Sequence, residues 1–263
     1  MLLSHLVNSL LVCFREDHSF SFLAILVGIL RLLFGVNRTI SGNMENKKVV
    51  LLAVGSFNPP TNGHLRMLED AKYSLEKTGV KVLEGIMSPV SDGYGKATLI
   101  NSSHRLAMTQ KSVQDSDWIH ADGWECSKPE WTTTVSVLKH HQNDVKKRLG
   151  EDVDVLLVVG GDVVETFDMF NADGTPVWEM DDIAEILSAG LVVQPRPGSN
   201  PLSHIKKLDI GKKSDNVHLI TNEIFGNPIS STSLRTAIKM KRSIKYTTPD
   251  AVIKYINDNK LYE

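Results

Sequence analysis

Six short apolar segments, each rich in valine, isoleucine or leucine, alternate along the chain with stretches of helical periodicity. The predicted strands are KKVVLLAV (47–54), VKVLEGIM (80–87), DWIHAD (117–122), DVDVLLVV (152–159), AGLVVQ (189–194) and NVHLIT (216–221). Strands of this composition are buried on both faces of a sheet. Because strands and helices alternate, parallel strands must be joined by right-handed crossovers. The pattern therefore predicts an α/β fold with a Rossmann-like, doubly wound parallel sheet.

The segments between the predicted strands divide into helices and loops. Three of them place apolar residues on one helical face and are predicted helices: 62–79, 102–114 and 132–150. Two segments rich in Gly, Pro, Asn and Lys, 171–180 and 195–215, are predicted long loops.

Charge and cysteine content exclude several classes of protein. The chain has 29 Lys and Arg against 31 Asp and Glu, so its formal net charge of -2 supplies no field for nucleic acid or an anionic membrane. An anionic ligand must then be held by a local site. Cys13 and Cys126 are far apart and show no CxxC spacing, which excludes a disulfide framework and favours a reducing, intracellular compartment.

The first 43 residues differ from the rest of the chain. The run FLAILVGIL (22–30) is apolar, but Arg31 interrupts it at the short end of membrane-spanning length. A targeting or membrane-associated segment is one interpretation, and an optional extension is the other, because Met44 stands just ahead of the first strand. We therefore expect an extension at 1–43 and one folded domain at 44–263, with membrane contact only if the extension is retained.

The segment GSFNPPTNGH (55–64) ends the first predicted strand and begins the first predicted helix. Gly55 permits a close backbone approach, while Asn62 could cap the helix and leave its N–H groups facing an anion. His64 falls in the first turn of that helix, where an imidazole can neutralise developing charge on a phosphate. These residues predict a phosphate site at the carboxyl end of the strand.

A second segment, ISSTSLR (229–235), has the composition of another anion site. The hydroxyls of Ser230, Ser231 and Thr232 stand at the start of a helix, and Arg235 follows one turn later. Lys96 could add an ammonium group for a phosphate, although a solvated loop lysine is the alternative. Gly160 and Asp162 follow the fourth strand, where the carboxylate could accept from ribose hydroxyls or simply cap a helix.

Several of these segments resemble one enzyme family. GSFNPPTNGH resembles the T/HxGH signature of the nucleotidyltransferase superfamily, in the form found in eukaryotic nicotinamide/nicotinic acid mononucleotide adenylyltransferases. ISSTSLR resembles the ISSTxxR motif of that family, and WECSKPEWTTTVSVLKHHQ (124–142) resembles its WExxxxEWxxTxxVLxHHQ segment. The motifs occur in the family's order and span about 47–262.

The resemblance implies a role for each candidate residue. His64, Lys96 and Arg235 are implied to be catalytic, and ATP phosphates are implied to contact Gly55, Ser56, Phe57, His64, Ser230, Ser231, Thr232 and Arg235. Mononucleotide or NAD binding is implied for Lys96, Trp131, Thr134, Gly160, Asp162, Trp178, Arg196, Glu223 and Asn227. Trp131 is implied to stack on the nicotinamide ring.

The implied reaction joins ATP to nicotinamide mononucleotide or nicotinic acid mononucleotide, giving NAD or deamido-NAD and pyrophosphate. Mg²⁺ is implied as the ion carried by ATP and pyrophosphate, and a homo-oligomer is common in the family. The residues leave three alternatives: nucleotidyl transfer to another phosphate acceptor such as phosphopantetheine, a binding or chaperone-like protein, and a membrane-tethered scaffold resting on residues 20–36.

Overall fold

The fold is a six-stranded, all-parallel sheet in the order β3-β2-β1-β4-β5-β6. It is seen in a computed structural model that describes residues 46–195, 199–208, 215–220 and 229–263. The strands are β1 (Lys48–Gly55), β2 (Lys81–Pro89), β3 (Ile119–Ala121), β4 (Val153–Gly160), β5 (Leu191–Gln194) and β6 (Val217–Leu219). All six predicted strands and the predicted fold class are confirmed.

Helices cover both faces of this sheet. They are α1 (Asn62–Glu76), α2 (Ser102–Ser112), α3 (Thr134–Leu149), α4 (Gly161–Val164), α5 (Met180–Ala189), α6 (Pro201–Lys207), α7 (Ser231–Lys239) and α8 (Asp250–Asp258). Short 3₁₀ turns lie at Asp92–Tyr94 and Glu125–Ser127. No helix among the described residues is both long and apolar enough to cross a membrane.

The alternation of side chains along β1 explains the two-layered core. Val50 and Leu52 pack with α3 and α5 on one face, whereas Leu51 packs with α1 on the other. A third cluster joins the C-terminal helices to α2. Each face of the strand is therefore apolar, which is why its sequence shows no alternation with polar residues.

The strand order places a crevice at the carboxyl ends of β1 and β4. The chain goes from β1 to β2 on one side and returns to β4 on the other, so the connections diverge at this point. Such a topological switch point is where open α/β sheets bind ligands. Leu52 pairs with Leu157, so Gly55 and Gly160 each lie three residues further along adjacent strands.

Two details of the sequence analysis are wrong. Thr61, rather than Asn62, occupies the N-cap of α1, and the N–H of Asn62 donates instead to the carbonyl of Thr247 at 2.9 Å. The predicted loop 195–215 contains α6, which begins with Pro201 after an Asn200 cap. Both errors concern helix starts, where several residues offer similar caps and a distant contact decides between them.

Candidate active site

The turn after β1 presents backbone N–H groups at the end of the sheet. Phe57 folds back with a positive φ of 42°, and its ring is only 3% exposed. Among the described residues, no atom accepts a hydrogen bond from the N–H of Ser56 or of Phe57. Backbone N–H groups next to a helix N-terminus form a site for anions. The structure thus places Gly55, Ser56 and Phe57 as the sequence analysis expected, at the switch point.

His64 lies at the third position of α1, with its ring in a defined orientation. The N–H of Thr61 donates to Nδ1 of His64 at 2.9 Å, and the ring meets that of Phe57 edge-on at 5.1 Å between centroids. Because Nδ1 accepts this bond, the neutral imidazole carries its proton on Nε2. The hydrogen-bond donor of this ring is therefore its Nε2–H group.

The second predicted anion segment meets the first one directly. The Ser230 hydroxyl caps α7 by accepting from the N–H of Ser233 at 3.1 Å. Ser231 Oγ donates to the carbonyl of Pro59 at 2.7 Å, and Arg235 Nη1 donates to the carbonyl of Asn58 at 2.8 Å. The N-terminus of α7 is thereby fixed against the turn after β1.

Arg235 and the remaining hydroxyls of α7 stay near the surface. Arg235 Nη2 lies 3.3 Å from Oγ1 of Thr232, which is exposed. The guanidinium group has five N–H donors, so two such contacts leave it able to bind an anion as well. The two phosphate segments thus form one surface.

Lys96 lies on an exposed loop that is attached to the same region. The Asp92 carboxylate accepts from the N–H and the hydroxyl of Ser102, at 2.7 and 3.0 Å, which fixes the start of this loop. At Gly93 a Cβ atom would lie 2.4 Å from the backbone N of Trp131. This close approach packs the Lys96 loop against the segment that carries Trp131.

Trp131 and Trp124, the two tryptophans of one segment, have different surroundings. Trp131 is 57% exposed, and its ring is accessible to a planar ligand. Trp124 is held between His140, stacked at 3.8 Å with an interplanar angle of 8°, and Lys128 at 4.3 Å. Of these two tryptophans, Trp131 is the one whose ring is exposed. Thr134, which follows Trp131 closely in the chain, is the first residue of α3 and is partly buried.

Gly160 ends β4 beside the turn after β1, and Asp162 is the second residue of α4, which follows directly. A Cβ atom on Gly160 would lie 2.4 Å from Oδ1 of the exposed Asp162, so a larger residue here would require this carboxylate to move. Trp178 lies further along the chain, where its Nε1 donates to Oγ1 of Thr166 at 2.8 Å and its ring meets Phe167 edge-on. The indole N–H of Trp178 is thus already used within the protein.

Three candidate residues, Arg196, Glu223 and Asn227, lie outside the described residues. Within the described ranges, no group of three or more His, Cys, Asp or Glu side chains is arranged to hold a metal ion.

Sequence reasoning assigned no role to two buried charged residues beside this site. Arg105 is fully buried, and Glu125 is 1% exposed. Burial raises the pKa of Glu125 to about 7, against the opposing effects of a hydrogen bond from Ser88 and the charge of Arg105. Glu125 belongs to the segment 124–142 that resembles the family motif, whereas Arg105 is a charged residue within an ordinary helical pattern.

The switch point, the backbone N–H groups and the joined α7 N-terminus define a nucleotide-binding α/β protein of the nucleotidyltransferase class. The family model described as cytidylyltransferase-like matches residues 52–237. The chain is 49% identical over 220 residues to nicotinamide/nicotinic acid mononucleotide adenylyltransferase 2 of Caenorhabditis elegans, covering 82% of this chain and 99% of the relative. It is 36% identical to isoform 1 of Bos taurus, covering 84% and 90%. The chain belongs to the nicotinamide/nicotinic acid mononucleotide adenylyltransferase family.

The solved structures agree on the fold. A Plasmodium falciparum nicotinic acid mononucleotide adenylyltransferase complexed with NaAD matches with a TM-score of 0.61 at 21% identity, covering 82% of this chain and 97% of that one. The complex of the same enzyme with APC matches with a TM-score of 0.57 at 20% identity, covering 82% and 98%. At this identity the two structures support the architecture alone.

Proposed function

We propose that this protein transfers the adenylyl group of ATP to nicotinamide mononucleotide or nicotinic acid mononucleotide, forming NAD or deamido-NAD and pyrophosphate. The observation that carries the proposal is the joining of residues 55–64 to the N-terminus of α7 through Ser231 and Arg235. It puts two predicted phosphate sites side by side, as a triphosphate needs. The names of the relatives, which are adenylyltransferases for both mononucleotides, support the acceptor.

The reaction needs positioning and charge neutralisation more than proton transfer. The second pKa of a phosphate monoester is about 6, so the mononucleotide phosphate is largely a dianion at neutral pH and needs no general base. It attacks the α-phosphorus of ATP in line with the departing pyrophosphate. The Nε2–H of His64 and the N–H groups of Ser56 and Phe57 stabilise the charge that develops at the α-phosphate.

The remaining cations and hydroxyls act on the leaving group. Lys96, Arg235 and the hydroxyls of residues 230–232 hold the β- and γ-phosphates, and Mg²⁺ enters as part of the MgATP substrate. No covalent enzyme intermediate is required, because the acceptor attacks ATP directly.

The acceptor occupies the other half of the crevice. Trp131 stacks on the pyridinium ring, and Asp162 accepts from hydroxyl groups of the ligand above Gly160. Thr134, Trp178, Arg196, Glu223 and Asn227 complete the proposed binding residues. The tight contact between Gly93 and the Trp131 backbone sets the separation between the acceptor ring and the phosphates near Lys96.

The test is a two-product assay of the full chain. MgATP is incubated with nicotinamide mononucleotide, nicotinic acid mononucleotide or 4′-phosphopantetheine, and both the adenylylated product and pyrophosphate are measured. We expect equal amounts of dinucleotide and pyrophosphate with the pyridine mononucleotides and no product with phosphopantetheine. Product with phosphopantetheine alone would assign the site to a different acceptor, and pyrophosphate without any product would contradict adenylyl transfer.

A further inference from the structure

Arg105, on α2, is the largest fully buried side chain among the described residues, and it has three hydrogen-bond partners there. Its Nε donates to the carbonyl of Ile100 at 2.9 Å, its Nη1 to the carbonyl of Ser56 at 3.1 Å and its Nη2 to Oδ1 of Asp92 at 3.1 Å. Removing a guanidinium charge from water costs several kcal/mol, so such a residue needs compensating contacts. Among the described residues the guanidinium bonds one carboxylate, that of Asp92, which is itself 47% exposed and is modest compensation for a purely structural role.

The contact with Ser56 controls the orientation of one peptide group. In a trans peptide the C=O and the following N–H point in opposite directions. Because the carbonyl of Ser56 faces the buried Arg105, the N–H of Phe57 faces away from it, and no described residue accepts a bond from that N–H. Arg105 therefore determines where this N–H group points.

The backbone at this position is strained and needs an external constraint. Phe57 has a φ of 42°, in the left-handed region that a bulky residue adopts only at a cost of about 1 kcal/mol or more. Such a conformation persists only when the surroundings fix it. Without Arg105 the peptide would be able to turn, which would place a carbonyl oxygen where the phosphate site needs a donor.

We propose that Arg105 is a positioning residue for adenylyl transfer, which holds the Ser56–Phe57 peptide with its N–H directed at the α-phosphate. The inference rests on the function proposed above, but it concerns ATP and is independent of the acceptor. Arg105 does not contact the substrate; it acts through the carbonyl of Ser56. The contact of Arg105 with Asp92 is the structural part of its role, since Asp92 also anchors the start of α2.

Variants separate these two roles. Arg105→Met removes all donors on a side chain of similar length, whereas Asp92→Asn removes the charge of the partner and leaves the bond to Ser56 in place. Loss of one oriented donor to a developing charge lowers turnover about 10²-fold. We expect Arg105→Met to lower kcat by about that factor with small changes in KM for ATP, and Asp92→Asn to lower Tm with kcat within about threefold. Arg105→Lys keeps one donor group and serves as the second variant if Arg105→Met does not fold.

A spectroscopic measurement reports on the peptide itself. The full chain contains eight phenylalanines, so selective ¹⁵N-phenylalanine labelling gives a simple amide spectrum, in which Phe57→Leu assigns the peak of interest. The probe is MgATP with an α,β-methylene bridge, which binds without transferring the adenylyl group. We expect the Phe57 amide resonance of the unsubstituted protein to move on binding. We expect that movement to be lost in Arg105→Met and reduced in Arg105→Lys, while calorimetry still detects the analogue.

An equal movement of the Phe57 resonance in the arginine variants would overturn the proposal, as would unchanged kcat. Absence of movement in the unsubstituted protein would also overturn it. If the protein instead failed to use pyridine mononucleotides but Phe57 still responded to the ATP analogue in an Arg105-dependent way, the acceptor assignment would be wrong and the role of Arg105 would stand.

Discussion

The guanidinium of Arg235 donates to the carbonyl oxygen of Asn58 at 2.8 Å, although the two residues are 177 positions apart in the chain. This bond joins the turn after β1 to the N-terminus of α7. Ser231 adds a second bond between the same two elements, to the carbonyl of Pro59. A residue proposed to bind phosphate therefore also fixes the element that carries the proposed transition-state donors.

This dual contact predicts different effects for Arg235→Ala and Ser231→Ala. Arg235→Ala removes a phosphate ligand together with the bond to Asn58, so we expect kcat/KM for ATP to fall about 10²-fold or more. Ser231→Ala removes one neutral hydrogen bond, worth about 1 kcal/mol, and should lower Tm by a few degrees with a smaller loss of activity. Steady-state kinetics and thermal unfolding measure both effects. Arg242→Ala, at an exposed position, is the control, and equal kinetics for Arg235→Ala and Arg242→Ala would contradict the role of Arg235.

We expect His64 to contribute to turnover separately from its contribution to stability. His64→Ala removes the Nε2–H donor, and we expect kcat to fall by about 10² to 10³. It also removes the acceptor for the N–H of Thr61, which costs about 1 kcal/mol of helix stability. His104 provides a matched control, because it also lies in the first turn of a helix, α2, and bonds through Nδ1, to the Tyr255 hydroxyl at 3.0 Å. A similar loss of Tm in both alanine variants, with kcat reduced only in His64→Ala, is the expected result; a common loss of kcat would make His64 structural.

How far the sequence predicts this molecule depends on whether a feature is local. The strands could be predicted because residues such as Val50 and Leu51 are buried on opposite faces, which requires an unbroken apolar run. Helix α6 was missed although Asn200 and Pro201 form a recognisable start signal, because Gly and Pro in the surrounding segment favoured a loop. The role of Arg105 could not be predicted, since its partner Ser56 lies 49 residues away and the helical pattern of α2 looks the same with an exposed arginine.

Because the Trp131 ring is exposed, we predict that replacing it changes the KM for the mononucleotide more than the KM for ATP. Trp131→Ala removes a stacking surface worth about 1 to 3 kcal/mol per base, so we expect KM for the mononucleotide to rise by about 5- to 140-fold with KM for ATP nearly unchanged. Trp131→Phe should recover part of the loss, because a smaller aromatic ring still stacks. Tyr73→Ala, on the exposed face of α1, is the control for loss of a surface aromatic residue. Equal increases in both KM values would count against stacking on the pyridine ring.

The contact between Gly93 and Trp131 predicts that an added methyl group disturbs the acceptor site. In Gly93→Ala the Cβ atom would lie 2.4 Å from the backbone N of Trp131 and 2.6 Å from the carbonyl carbon of Glu130, so the two loops must separate. We expect a higher KM for the mononucleotide and a lower kcat, because Lys96 and Trp131 no longer keep their spacing. Gly174→Ala is a control with no atom within 4 Å of the new Cβ, although its φ of 83° adds local strain. Identical kinetics in the two variants would show that the spacing is not important.

Because the carboxyl group of Glu125 is buried, we predict that it makes the free energy of unfolding depend on pH. Its pKa is about 7 in the folded protein against 4.5 for the exposed group, chiefly because burial disfavours the charged form. Between these two values the unfolded chain has released a proton that the folded protein retains, so the free energy of unfolding decreases as pH rises from about 4.5 to 7 and is level above that. The total is on the order of 3 kcal/mol.

Glu125→Gln removes this titration while its amide can still accept the hydrogen bond from Ser88. Urea unfolding of both proteins between pH 4.5 and 8.5 gives the difference in the free energy of unfolding. We expect the free energy of unfolding of Glu125→Gln to increase relative to that of the unsubstituted protein as pH rises to 7. Above pH 7 the difference should stay constant. Glu151→Gln, at a side chain 85% exposed, should leave the pH dependence as it is in the unsubstituted protein. A difference between Glu125→Gln and the unsubstituted protein that is the same at every pH would mean that Glu125 ionises normally in the fold, with Ser88 and Arg105 stabilising its carboxylate about as strongly as burial opposes it.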